Sequence, residues 1–100
     1  MFTLKNNSSY VGKEGGTEWW DWTAYIEAQP PNSLDEVDYV EYHLHSSFRN
    51  PVVRIRVKQG GFPFNTRGWG TFALKARVVF KDKNQDPILL SHYLDFVEPT

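Results

Sequence analysis

From Thr71 to Lys81 the chain reads TFALKARVVFK, with Phe72, Leu74, Ala76, Val78 and Phe80 at every second position. That spacing constrains the fold more than anything else in the sequence. A period of two puts all five apolar side chains on one face of a strand, whereas a helix would scatter them around its axis. The pattern recurs along the chain. TEWWDWTAYIEA places Trp20, Trp22, Ala24 and Ile26 on one face, with Trp19, Asp21, Thr23, Tyr25 and Glu27 on the other. VDYVEYHLH offers Val40, Tyr42 and Leu44 as a core face. VVRIRVK after Pro51 points Val53, Ile55 and Val57 one way and Arg54, Arg56 and Lys58 the other. No window has helical period.

The connections read as turns and loops. QPPNSLDE holds consecutive prolines, which cannot sit inside a paired strand. GGFPFNTRGWG, from Gly60 to Gly70, has four glycines and a proline and reads as a long loop. KDKNQD turns before PILLSHYLDFV, and a weaker strand is expected near Phe2–Lys5 or Ser9–Gly12. Short alternating strands with turns at this spacing, about six or seven by this count, predict an all-β antiparallel sandwich. One hundred residues without internal repeat or linker are expected to form one domain, 1–100.

Composition removes several function classes. A net charge of −1 and scattered Lys and Arg argue against bulk nucleic-acid binding, which needs a phosphate-neutralising patch. The absence of cysteine excludes disulfides, thiol catalysis and Cys-ligated zinc. No segment has the apolar length of a signal peptide or membrane span, so a soluble, intracellular chain without membrane contact is expected. Aromatic residues, in contrast, are abundant at 16%, more than a small core holds, so some are expected to line a surface site.

Two stretches pair small polar residues with such rings: LHSSF (Leu44–Phe48) at a strand end, and RGWGTF (Arg67–Phe72) entering another strand. Loops of a sandwich cluster at its two ends, so both can share a cleft. Each residue also has a plainer reading. Phe48 suits the core, Ser47 suits a turn, and two of Trp19, Trp20 and Trp22 belong inside. Arg54, Arg56 and Lys58 read as a solvated sheet face, or as a surface for an acidic partner. His43, His45 and His92 invite a zinc site, but no carboxylate pattern accompanies them. Without a nucleophile elbow, a Ser–His pair on one strand does not make a triad, and no enzyme is expected.

Together, VEYHLHSSFRNP and PFNTRGWGTFALKARVVF resemble the YEATS domain family, most closely its prokaryotic branch. The resemblance extends back to WDWTAYIE and forward to LSHYLDF, over about residues 19–96. It implies an immunoglobulin-like antiparallel β-sandwich of about 7–8 strands. Eukaryotic members read acylated lysine, chiefly acetyl and crotonyl, on histone tails. Carried over by motif, the resemblance implies His45, Ser47 and Phe48 as one wall of an acyl-lysine site, and Gly68, Trp69 and Gly70 as the other. Trp19 stands nearest to a further aromatic of the family's site. The implied partner is an acylated-lysine peptide or protein, with no cofactor, and with a fused or associated effector domain in prokaryotic settings. The chain lacks the basic segments of nuclear members, so a prokaryotic cytoplasmic location is expected, nuclear if the source is eukaryotic. Two other functions fit the residues: an interaction or sensor module that ignores acyl-lysine, and a sugar binder using exposed Trp.

Overall fold

The computed structural model describes residues 1–98, so the last two positions of the expected domain lie outside the described residues. It has seven strands: β1 (Phe2–Glu14), β2 (Thr17–Ala28), β3 (Val37–His43), β4 (Val52–Ile55), β5 (Phe64–Gly68), β6 (Ala73–Phe80) and β7 (Ile88–Tyr93). A 3₁₀ turn over Pro31–Glu36 joins β2 to β3. The strands form two antiparallel sheets, ordered β1-β2-β5 and β4-β3-β6-β7. The expected all-β sandwich is therefore present.

The inward faces are the ones that alternation selects. Trp22, Ala24 and Ile26 of β2 meet Val40 and Tyr42 of β3 and Leu74, Ala76, Val78 and Phe80 of β6, all at 2% exposure or less. Removing this apolar surface from water is the main force holding the sheets together, at roughly 25 cal/mol per Å². A hydrogen-bonded polar group is buried with them. The Tyr42 hydroxyl donates to the Phe62 carbonyl at 2.6 Å, and burial pushes its pKa well up, so the phenol stays a neutral donor.

Several expectations change. Gly60–Gly70 is not one long loop, because its second half pairs with β2 as strand β5, in the register Trp22↔Thr66 and Ala24↔Phe64. The N-terminal segment is a 13-residue strand rather than a short weak one. It is long because it forms a hairpin with β2 from Phe2↔Ala28 to Glu14↔Thr17, broken only by a bulge between Tyr10 and Gly12. Strand β4 stops at Ile55, which leaves Val57 65% exposed instead of facing the core. Val79, on the outer face by alternation, is buried.

The cationic row also has partners of its own. Arg54 Nε donates to Glu41 Oε2 at 2.9 Å, Arg56 pairs with Asp38 at 3.1 Å, and Lys58 pairs with Asp35. Glu41 is buried on this outer face, and its other oxygen accepts from His43 Nε2 at 2.9 Å. Burial by itself raises a carboxyl's pKa, but the hydrogen bonds from Arg54 and His43 outweigh it and hold Glu41 below the ordinary value. A carboxyl with a depressed folded-state pKa contributes stability that is full above its unfolded pKa and lost as pH falls through the folded one. Urea midpoints should therefore drop as the pH falls below about 4.5, the ordinary value for glutamate. Glu41→Gln, which cannot ionise, should show a shallower acid dependence, and an unchanged slope would remove this role.

Candidate ligand-binding slot

Strand β3 ends at His43, so His45 lies beyond it in the loop to β4 rather than on the strand. Backbone bonds fix that loop: Leu44 N–H donates to Pro51 O at 2.7 Å, and Phe48 N–H to His45 O at 3.0 Å. On the other sheet β5 runs out at Gly68, and Trp69 to Phe72 cross to β6, where the Phe72 carbonyl accepts from Leu94 N–H at 3.1 Å. The two loops face each other at one end of the sandwich.

His45, Ser47, Phe48, Gly68, Trp69, Gly70 and Trp19 all line one cleft of about 280 Å³, together with Arg67, Thr71 and Phe72. That volume lies just under the ~300–1,000 Å³ of drug-sized sites and suits a single long side chain. Alternation alone assigns Phe72 to the core. Instead it is half-buried, with its ring between the core and the cleft, 5.7 Å from Phe48 and 6.0 Å from His45. Its place at the end of GWGTF was the signal that could have assigned it to the site. Trp69 is 64% exposed and pairs with no other ring among the described residues, so it stands over the cleft as a free wall.

The hydrogen bonds in the first loop settle a tautomer. Ser47 N–H donates to His45 Nδ1 at 3.1 Å, so Nδ1 carries a lone pair and the ring proton sits on Nε2. The Ser47 hydroxyl, 2.9 Å from the same Nδ1, then donates to it. The lone pairs of Ser47 Oγ remain available to accept a hydrogen bond from a ligand. The lining includes no Asp or Glu. Its one cation, Arg67, is bonded to Asp21 at 2.7 Å, and that bond holds Asp21 below the usual carboxylate range.

Behind the slot, Gly68 is buried because the indole of Trp22 occupies the place of a side chain. A Cβ there would lie 3.2 Å from Trp22 Nε1. The three histidines do not converge: His43 bonds Glu41, His45 bonds Ser47, and His92 bonds Asn6 at 2.7 Å. Among the described residues no group of three metal-ligating side chains exists, and no helix is long and apolar enough to cross a membrane.

Comparison with known proteins agrees with the fold. The chain is 38% identical over 60 residues to transcription initiation factor TFIID subunit 14 of Schizosaccharomyces pombe. That match takes in 60% of the chain but only 24% of the fission yeast protein's length. Among solved structures, the yeast AF-9 homolog Yaf9 superposes with a TM-score of 0.79 at 22% identity, covering 97% of this chain and 67% of that one. The Yaf9 YEATS domain bound to H3K27ac superposes at 0.74 and 21% identity, covering 100% of this chain and 77% of that one. The same domain recognizing an H3K122suc peptide gives 0.75 and 20%, covering 96% and 75%. At such identities these structures establish the sandwich fold. Residues 20–95 match the family described as the prokaryotic YEATS domain, and the chain belongs to that family.

Proposed function

We propose that this domain is a non-enzymatic reader of acylated lysine, of the acetyl or crotonyl class, presented on a peptide or protein. The observation that carries the reading is a side-chain-sized slot walled by Phe48, Phe72 and Trp69 whose lining has no carboxylate. Acylation turns a lysine ammonium into a neutral planar amide with an apolar tail. The tail gains from the rings, at roughly 0.5–1.5 kcal/mol per aromatic contact beyond its buried area. The amide N–H has an acceptor in Ser47 Oγ, and the backbone N–H groups of the Trp69 loop are the donors for the acyl oxygen. An unmodified ammonium would lose its water here without gaining a counter-charge. Family membership and the acylated-peptide complexes of Yaf9 support the same reading. We place the seven residues named from sequence, with Phe72 added, in the binding site, residues 1–100 in one domain, and the domain in a prokaryotic cytoplasm.

Titration with acetyl-lysine, crotonyl-lysine and unmodified lysine peptides, followed by intrinsic Trp fluorescence, tests the proposal. Acylated peptides should quench saturably, and plain lysine should not. Trp69→Ala should weaken binding about tenfold, the equivalent of ~1.4 kcal/mol, since the mutation removes one ring wall. Because Trp69 is mostly exposed, its removal should shift folding stability by no more than ~0.5 kcal/mol. No response up to millimolar peptide would reject the reader and favour an interaction module whose slot is unused.

A further inference from the structure

The outer face of the four-stranded sheet is organised in cross-strand rows that the register fixes. One row runs Leu89, Arg77, Glu41, Arg54, and the next runs Ser91, Lys75, His43, Val52. Directly opposed side chains have Cβ atoms about 4.5–5.5 Å apart, so each row is continuous. Between β3, β6 and β7 the face sinks into a depression of about 370 Å³, lined by His43, Lys75, Arg77, Leu89 and Ser91 among others.

Charge on this face is unbalanced. Both Glu41 oxygens already accept hydrogen bonds, one from Arg54 and one from His43. Arg77 reaches Glu41 only at 4.0 Å, too far for a hydrogen bond. Lys75 is exposed and has no acidic partner within ion-pair distance among the described residues. Beside these two cations lie exposed apolar side chains, Leu89 at 76% and Tyr93 at 65%. Leu89, Ser91 and Tyr93 alternate along β7, which is the last strand of its sheet. The Arg54, Arg56, Lys58 row differs, since each of its cations has an acid on the neighbouring strand or turn.

We propose that this face docks an extended segment of a partner protein in which carboxylate and apolar side chains alternate. A carboxylate would sit between Lys75 and Arg77, with the Ser91 hydroxyl as a further donor, and the apolar neighbours would lie on Leu89 and Tyr93. Charge complementarity selects this occupant, because two under-compensated cations flanked by apolar side chains match an acidic, half-apolar strand and repel a basic one. The depression shares no lining residue with the slot, the nearest link being Thr71 Oγ1 to the Tyr93 hydroxyl at 3.5 Å, so either can fail without the other.

The test is an amide NMR titration of the 100-residue chain with a capped hexapeptide of alternating Glu and Val, and with its Lys and Val counterpart. The Glu peptide should saturate with a dissociation constant below ~1 mM, shifting Lys75, Arg77, Leu89 and Ser91 and leaving Trp69 unmoved. Lys75→Glu and Leu89→Ser should each weaken it at least about fivefold without lowering the melting temperature, as both side chains are exposed. Raising salt from about 0.02 to about 0.2 M should weaken it as well. Absence of shifts at ~5 mM, equal binding of the Lys peptide, or indifference to Lys75→Glu would each overturn the proposal.

Discussion

Gly61→Ala is expected to destabilise the domain by about 3–5 kcal/mol, enough to leave it largely unfolded at 37 °C. Gly61 sits at φ +86°, and an added Cβ would lie 2.2 Å from the Ile26 carbonyl oxygen and 3.2 Å from the Ile26 N and C atoms. These are backbone atoms of β2, a strand hydrogen-bonded within its sheet, so no side chain can swing aside. The approach is close because the Gly61 carbonyl accepts from Ile26 N–H at 2.8 Å, docking the turn before β5 onto that strand. The next residue, Phe62, is itself at φ 55° and 1% exposed, and its carbonyl receives the Tyr42 hydroxyl. Moving Gly61 outward would thus disturb a backbone bond, a core ring and a buried side-chain bond together. Gly60→Ala is the control. It shares φ +86° but meets only Pro63 side-chain atoms, at 3.5 and 3.8 Å, so it should cost only ~1 kcal/mol. Urea denaturation of both variants separates collision from dihedral strain. Equal, small losses would mean that the close approach is absent in solution.

Trp22→Ala should cost a similar ~3–5 kcal/mol, the usual penalty for removing a buried large aromatic. Trp22 is 1% exposed and lies among Phe64, Phe72 and Phe96, with ring centroids 6.1, 6.1 and 6.5 Å away. Its truncation also takes away the support behind Phe72, one wall of the slot. Ligand affinity should therefore fall even under conditions where the variant remains folded. Trp22→Phe keeps most of that packing. It also deletes an indole N–H that has no hydrogen-bond partner among the described residues, so its cost should stay below about 2 kcal/mol. Thermal unfolding ranks the three proteins, and a Trp22→Ala melting temperature within a few degrees of wild type would contradict the assigned packing.

The candidate site was legible as a cleft because its residues sit in two short continuous motifs. LHSSF and GWG could be read directly, and the structure brings all of their named residues, and Trp19, to one cleft. Phe72 was missed because alternation assigns a ring to a face without saying how far along the sandwich that face remains covered. Phe72 is the last ring before β6 begins, where the second sheet no longer fully shields it. Arg67 was missed for a different reason. Its role depends on Asp21 lying opposite it on β2, a cross-strand register that no local window contains.

The sequence by itself determined the sandwich class, the core faces of β2, β3 and β6, and the two loops that meet in a cleft. Each of these depends on side-chain order within about ten residues, where the strand period acts directly. Only the tertiary structure decided that Phe64–Gly68 is a strand, that Val57 is outside, and that Arg54, Arg56 and Lys58 each already have an acidic partner. In the first and last cases the partner comes from a distant part of the chain, and for Val57 it is absent. A strand exists only where another strand takes its hydrogen bonds, a valine is core only where the opposite sheet covers it, and a charge is free only where no neighbour meets it.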